Sequence, residues 1–279
     1  MHWRITSGTL NLEQPIFLGI LNITPDSFSD GGCHLAPPAA LEQAEHLLQN
    51  GAAILDLGAE STRPDAIPIT PGEEWDRLRP VLDLLRRHLP HATLSLDTRH
   101  PSVASKGLEC GVAVLNDISG FSDPALLALA RDTSCGLIAM RSRRMAGKLH
   151  MPDYSGNGAS SPAAAIEELC KIKERLLEAG IAADRILLDP GFGFGTDYSE
   201  DLALWQALPM LPKVLDWPIQ RFCLGISRKR FVARRAGVPT LPPNQRDELT
   251  SQAHAEAISL GYRIFRTHAV YRSLKREHP

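Results

Sequence analysis

Short apolar runs alternate with amphipathic stretches along the whole chain, and this alternation constrains the fold more than any other feature. The runs are "IFLGILN", "AAILDLGA", "ATLSLD", "AVLNDI", "CGLIAM", "RILLDPG", "IQRFCLGIS" and "YRIFRTH". Between them lie helical patterns such as "AALEQAEHLLQNG", "EEWDRLRPVLDLLRRHL", "AAAIEELCKIKERLLEAG" and "EDLALWQALPML". Several helical patterns end in glycine just before the next run, as a left-handed C-terminal cap requires. Eight runs in a chain of 279 residues predict an α/β fold, a (β/α)8 TIM barrel. A doubly wound open sheet is the alternative. The barrel is favoured because no Gly-rich dinucleotide turn follows the first run and polar residues gather at the ends of many runs. The opening "WRITSGTLNL" alternates around a Gly turn and reads as a hairpin closing the barrel floor. No Gly/Ser-rich linker interrupts the pattern, so residues 1–279 are expected to form a single domain. "RSRRMAGKLHMPDYSGNGASSP", after the fifth run, reads as a long loop, and "AGVPTLPPNQ" as a second irregular piece.

Composition narrows the partners. The formal charge is -2, so nothing global calls for nucleic acid or an anionic membrane. No apolar run approaches a membrane span, and "MHWRITSGTLNLEQ" lacks the sections of a secretion signal. The five cysteines (Cys33, Cys110, Cys135, Cys170, Cys223) are odd in number and show no metal-type pairing. Reduced thiols in a cytoplasmic protein are expected, without cysteine-bound zinc.

In such a barrel the carboxyl ends of the strands converge on one mouth. Those ends carry Asn22, Glu60, Asp97, Asn116, Asp117, Arg141, Asp189, Ser227 to Lys229, and Arg266 with His268. Any one of these acids could simply cap the next helix; the whole set points to a ligand. Asp accepts from ring N–H and exocyclic NH2, and Asn both donates and accepts, so Asp97, Asn116 and Asp189 suit the amino-pyrimidinone edge of a flat heterocycle. "GISRKRF" brings Ser227, Arg228 and Lys229 to a helix start, where backbone N–H groups favour an anion. In "ESTRP", Pro64 restricts Arg63 to extended geometry and so aims its guanidinium. Arg266 and His268, two apart in "RTH", share one side of an extended segment. Cations on separate mouth loops suggest a multiply charged anion such as diphosphate.

The motifs "GILNITPDSFSDGG", "ESTRP", "LDT", "NDISG", "DPGFGFG", "SRKRF" and "RTH", in this order from about Leu18 to His268, resemble the dihydropteroate synthase family of pterin-binding (β/α)8 barrels. The resemblance implies a folate-pathway transferase in which the amine of para-aminobenzoate displaces diphosphate from 6-hydroxymethyl-7,8-dihydropterin diphosphate, assisted by Mg2+. By position, Asp97, Asn116, Ile118, Asp189 and Lys229 would hold the pterin. Asn22, Arg63, Arg266 and His268 would bind the diphosphate, with Asn22 also meeting the metal. Phe28, Thr62, Pro64, Ser227 and Lys229 would border para-aminobenzoate. Asp97, Lys229, Asp30 and Arg63 would carry the catalysis, with Phe28 and Asp30 on a closing loop. A homodimer is implied as well, and a site that is either a sulfonamide target or resistant to sulfonamides.

Some positions depart from the family pattern. Ala59 stands where glycine is usual, Arg141 where histidine is common, Thr196 where lysine usually follows "GFG", and Ala269 where the "R-x-H-D" motif has aspartate. Two alternatives share the pterin pocket: a non-catalytic pterin-binding paralogue, and a pterin-dependent methyltransferase. The latter has no need of "TPDSFSDGG", "STRP" or "SRK".

Overall fold

The computed structural model describes residues 1–23, 37–61, 67–145, 148–149 and 161–271. Eight parallel strands make the sheet: β3 (Ile16–Asn22), β4 (Ile54–Gly58), β5 (Thr93–Asp97), β6 (Val114–Asp117), β7 (Gly136–Met140), β10 (Ile186–Asp189), β11 (Cys223–Leu224) and β12 (Ile264–Thr267). Their spatial order is β10-β7-β6-β5-β4-β3-β12-β11, and a parallel bridge between Leu188 and Phe222 brings the two ends together. The sheet is therefore a barrel, not an open doubly wound sheet.

Helices α1 (Pro37–Gln49), α2 (Pro71–His88), α3 (Pro101–Glu109), α4 (Pro124–Asp132), α5 (Ala163–Glu178), α6 (Tyr198–Ala207), α7 (Leu211–Val214), α8 (Arg230–Arg235) and α9 (Asp247–Leu260) connect the strands. Local chemistry sets their ends. Thr70 with Glu73, and Asp197 with Glu200, form capping boxes at α2 and α6. Gly261 closes α9 at φ 107°, a left-handed cap.

The sequence pattern misplaced some boundaries. "EDLALWQALPML" breaks between α6 and α7, because Pro209 has no N–H to continue the helical ladder. The long run "IQRFCLGIS" shrinks to the two-residue β11 behind a 3-10 turn over Ile219–Arg221. Within the expected loop after β7, β8 (Arg144–Met145) and β9 (Lys148–Leu149) pair antiparallel.

The N-terminal hairpin, β1 (His2–Ile5) with β2 (Gly8–Asn11), takes the expected place. Trp3, Ile5 and Leu12 are buried in one cluster with Ile16, Leu18, Ile54, Val114, Ile138, Leu187 and Ile264, residues in the amino-terminal parts of the barrel strands. Trp3 Nε1 donates to Arg185 O at 2.9 Å, satisfying its polar tip. Gly136 makes this seat possible: a Cβ there would lie 2.6 Å from Ile5 Cγ2 and 3.0 Å from Trp3 Cζ2.

Candidate active site

The opposite end of the barrel holds a cleft of about 570 Å3. Among its lining residues are Asn22, Gly58, Glu60, Asp97, Phe194, Gly225, Ser227, Lys229, Arg266 and His268. Strand register explains the convergence. Asn22 pairs with Gly58, Gly58 with Asp97, and Asp97 with Asn116, a continuous level across β3 to β6. Gly58 contributes no side chain to that level, which leaves room between Asn22 and Asp97.

Arg266 crosses from β12 to the acids of β4 and β5. Its Nε donates to Asp56 Oδ2 at 2.5 Å and its Nη2 to Asp97 Oδ2 at 2.6 Å. Asn116 Nδ2 adds a hydrogen bond to the same Asp56 oxygen at 3.1 Å, while Asp56 Oδ1, buried, has no partner. Burial, with Asp56, Asp117 and Glu60 nearby, pushes Asp97 up to about 7 against the pull of Arg266. Burial opposes the charge on Arg266 too, but Asp56 and Asp97 outweigh it and raise its basicity.

Asp189 and Asn116 do not line the cleft; Asp189 sits behind Gly225, which does, and accepts from the Gly191 amide at 2.8 Å. Burial raises its pKa, and Lys229 and the Gly191 N–H oppose the rise. Lys229 Nζ donates to Phe192 O at 2.5 Å and lies 4.3 Å from the centre of the Phe194 ring, a cation–π distance. Burial lowers its pKa to about 8, with Asp189 and Asp201 resisting. Gly191 has φ 70°, and a Cβ there would lie 1.8 Å from Arg141 O, so this turn of "DPGFGFG" accepts only glycine.

Ser227 links the last two strands. Its Oγ lies 3.0 Å from His268 Nδ1 and accepts from the His268 amide at 3.1 Å. Burial, with Arg228 and Arg266 nearby, lowers the His268 pKa to about 3. The imidazole is therefore neutral near pH 7 and offers a hydrogen bond, not a positive charge.

Several residues singled out in the sequence are engaged by the surrounding frame. Asp117 accepts from Ser119 N at 2.9 Å, Ser119 Oγ at 2.6 Å and Phe121 N at 2.6 Å, which is turn capping. Arg141 is buried; its Nε donates to Pro190 O at 2.8 Å and its Nη1 to Glu168 at 2.9 Å, which staples the turn after β10 to α5. Thr196 donates to Asp201 Oδ1 at 2.7 Å. Ile118 is buried, its carbonyl accepting from Ser142 Oγ at 2.5 Å. Glu60, on the cleft wall, is gripped by Arg99 through contacts of 2.8 Å each. Phe28, Asp30, Thr62, Arg63 and Pro64 lie outside the described residues.

Sequence reasoning missed Asp56. The signal was present: an acid in the middle of "AAILDLGA", a run buried on both faces, needs a partner inside the barrel. Pro243 and Asn244 also line the cleft, from the irregular piece before α9.

A barrel whose open end combines acids, an amide and half-buried cations in one cleft has the makings of a site for a polar heterocycle bearing an anion. The family model described as "Pterin binding enzyme" matches residues 18–268, and the chain belongs to that family. Within the family, its relatives include dihydropteroate synthases. The Bacillus subtilis enzyme is 34% identical over 259 residues, covering 92% of this chain and 85% of that one. The Yersinia pestis synthase, solved as a sulfonamide drug complex, superposes with a TM-score of 0.83 at 34% identity, covering 97% and 94% of the two chains. The Xanthomonas albilineans synthase with 4-aminobenzoic acid gives a TM-score of 0.82 at 33% identity, covering 97% and 94%.

Proposed function

We infer that this chain is a dihydropteroate synthase: it joins para-aminobenzoate to 6-hydroxymethyl-7,8-dihydropterin diphosphate, releasing 7,8-dihydropteroate and diphosphate. The observation that carries this reading is the pair of acid–cation sets at the cleft: Asp97 with Arg266 on its lining, and Lys229 on its lining with buried Asp189 behind Gly225. Dihydropteroate synthases cover nearly the whole chain as relatives, and one of them was solved with 4-aminobenzoic acid.

The pterin is assigned to Asp97, Asn116, Ile118, Asp189 and Lys229; the polar groups of Asp97, Asn116, Asp189 and Lys229 complement its amino-pyrimidinone edge, and for Ile118 the support is the family resemblance. The diphosphate is assigned to Asn22, Arg63, Arg266 and His268. Of the Arg266 nitrogens, Nε and Nη2 serve the acids, leaving Nη1 for an anion. Para-aminobenzoate is assigned to Phe28, Thr62, Pro64, Ser227 and Lys229, the ammonium pairing with its carboxylate. For Asp30, Arg63, Phe28, Thr62 and Pro64 the support is the family resemblance alone.

The chemistry asks little of the protein as a nucleophile. The aryl amine attacks the pterin methylene carbon, a C–N bond forms, the C–O bond breaks with its electron pair leaving on diphosphate, and the new secondary ammonium gives up its extra proton to solvent or to the departing diphosphate. What the chain supplies is orientation and charge placed in advance. Asp97 faces the pterin, where it stabilises positive charge developing on the ring. Lys229 and Arg266 face the anionic groups.

The donor set suits Mg2+ delivered with the diphosphate. Asn22 offers a neutral oxygen at the cleft wall, and Mg2+ commonly takes one or two protein oxygens alongside phosphates and water. Bound there, the ion would neutralise charge on the departing diphosphate. We also assign the chain to a single domain, to the cytoplasm and to a homodimer. Among the described residues no helix is long and apolar enough to cross a membrane, and the described cysteines are free thiols. Sedimentation velocity tests the dimer.

The deciding experiment supplies purified protein with both substrates and Mg2+ and follows diphosphate release and dihydropteroate formation. Turnover is expected. Pterin binding without release would instead identify a non-catalytic paralogue.

A further inference from the structure

Lys229 is held by a ledge of backbone and ring from another part of the chain. Phe192 O receives its ammonium at 2.5 Å, and the Phe194 ring centre lies 4.3 Å away. Gly193, between them, is close enough that a Cβ would lie 3.4 Å from Lys229 Cδ.

The ledge is itself pinned from behind. Asp201, fully buried in the first turn of α6, accepts from the Gly193 amide at 3.0 Å and from the Thr196 hydroxyl at 2.7 Å through one oxygen, Oδ1. The Gly193 N–H also reaches Thr196 Oγ1 at 3.0 Å. The segment "GFGT" thus wraps around one buried carboxylate. The groups that bear on the Lys229 charge are Asp189 on β10, Asp201 on α6, Arg266 on β12 and Cys223 on β11. Burial pushes the Cys223 thiol well up, so at neutral pH it is uncharged. Arg228 and the neutral His268 border the same cleft. Two buried carboxylates therefore bear on one half-buried ammonium.

We propose that Asp201 is a positioning residue for Lys229: it fixes the Phe192–Phe194 ledge that receives the ammonium and supplies the second negative charge that keeps it protonated. The proposal rests on the reading of Lys229 as a substrate-contacting cation, and it goes further by giving the active charge state a source outside the cleft.

Asp201→Asn and Thr196→Val separate the two roles. The asparagine keeps an oxygen for Gly193 and Thr196 but removes the charge; the valine removes the hydroxyl and keeps the charge. The pH profile of kcat/KM is measured for both, together with pterin affinity by fluorescence quenching, which needs no turnover. The wild-type alkaline limb is expected near the Lys229 value of about 8. In Asp201→Asn it should move toward neutrality by about one pH unit, as expected when a near opposite charge is lost. In Thr196→Val pterin affinity should fall several-fold, about 3- to 10-fold for one lost buried hydrogen bond, with the limb unmoved. An unmoved limb in folded Asp201→Asn overturns the proposal. If Asp201→Asn does not fold, Asp201→Glu replaces it: a retained limb with raised pterin KM supports the proposal, and an unchanged KM overturns it. Should wild type release no diphosphate, the functional reading fails separately, and the pH dependence of pterin affinity read by the same quenching decides the role of Asp201: a profile displaced toward neutrality in Asp201→Asn supports it, and one matching wild type overturns it.

Discussion

Arg266 on β12 donates through Nη2 to Asp97 Oδ2 on β5 at 2.6 Å, although β3 and β4 lie between their strands in the sheet. The contact spans the barrel interior, and Asp56 holds the other side of the same guanidinium. Removing the cation strands two carboxylates in a buried place. Arg266→Met is expected to cost about 3–5 kcal/mol of stability near pH 8, the usual penalty for breaking a buried pair from one side. The sign with pH follows from the raised Asp97 pKa, about 7 even with Arg266 present. A folded carboxyl raised above its unfolded value binds protons more readily than the unfolded chain does, so stability falls as pH rises. The deficit should therefore shrink between pH 8 and pH 5 in urea titrations, and a deficit independent of pH would contradict the pairing.

Asp97→Asn separates charge from shape. The amide keeps an oxygen for Arg266, so the melting temperature should change little. On the proposed mechanism kcat/KM falls by about 10²–10³, the usual loss when one electrostatic stabiliser of a transition state is removed. Full activity in this variant would take Asp97 out of the catalytic set.

The barrel was legible because its signal is redundant: eight apolar runs bounded by helical patterns tolerate errors at any one boundary. β11 was overextended because "IQRFCLGIS" is apolar enough for a strand, whereas pairing extends only over Cys223 and Leu224. At the mouth, strand-end position identified Asn22, Glu60, Asp97, Ser227, Lys229, Arg266 and His268 as cleft-lining residues. It could not distinguish Arg141 and Asp117, which end strands equally well but turn to backbone partners. That choice depends on which carbonyls and amides a turn leaves unpaired, information that appears only when the chain is folded. Asp201 was invisible for the same reason, since a first-turn helix acid ordinarily reads as favourable to the helix dipole.

His254, on α9, is buried with its ring 4.8 Å from Phe265 and 6.0 Å from Phe17, and its Nε2 has no partner. Burial lowers its pKa to about 3 from 6.5. The unfolded chain therefore binds a proton below pH 6.5 that the folded chain refuses, and stability falls as pH falls through that window. At pH 5 the linkage amounts to about 2 kcal/mol. His254→Leu should accordingly gain about 2 kcal/mol relative to wild type between pH 7.5 and pH 5, whatever its offset at neutral pH. Equal pH dependence in both proteins would show that His254 titrates freely.

Trp3 is fully buried in the floor cluster and lies at the end of the barrel away from the cleft. Trp3→Ala is expected to cost about 3–5 kcal/mol, the range for deleting a large buried aromatic. Because none of the described cleft-lining residues belongs to the floor cluster, KM for both substrates should stay near wild type in the fraction that remains folded. A large change in KM with little loss of stability would mean that the hairpin does more than close the floor.

Gly225 tests whether the pterin comes to Asp189. It lies between β11 and the "SRK" segment, lines the cleft, and its φ is not in the left-handed region, so alanine fits the backbone. The added Cβ would lie 3.1 Å from Asp189 Oδ2 and 4.0 Å from Lys229 Nζ. A methyl group there covers the carboxylate from the cleft side without altering its charge or its bond to Gly191. Gly225→Ala should therefore raise KM for the pterin substrate by about tenfold, the equivalent of one impaired charge-assisted hydrogen bond, while the melting temperature stays within a few degrees. The para-aminobenzoate KM should move less, because Ser227 and the cleft-facing ammonium are left in place. If the aminobenzoate constant rose and the pterin constant did not, Asp189 would belong to the other substrate.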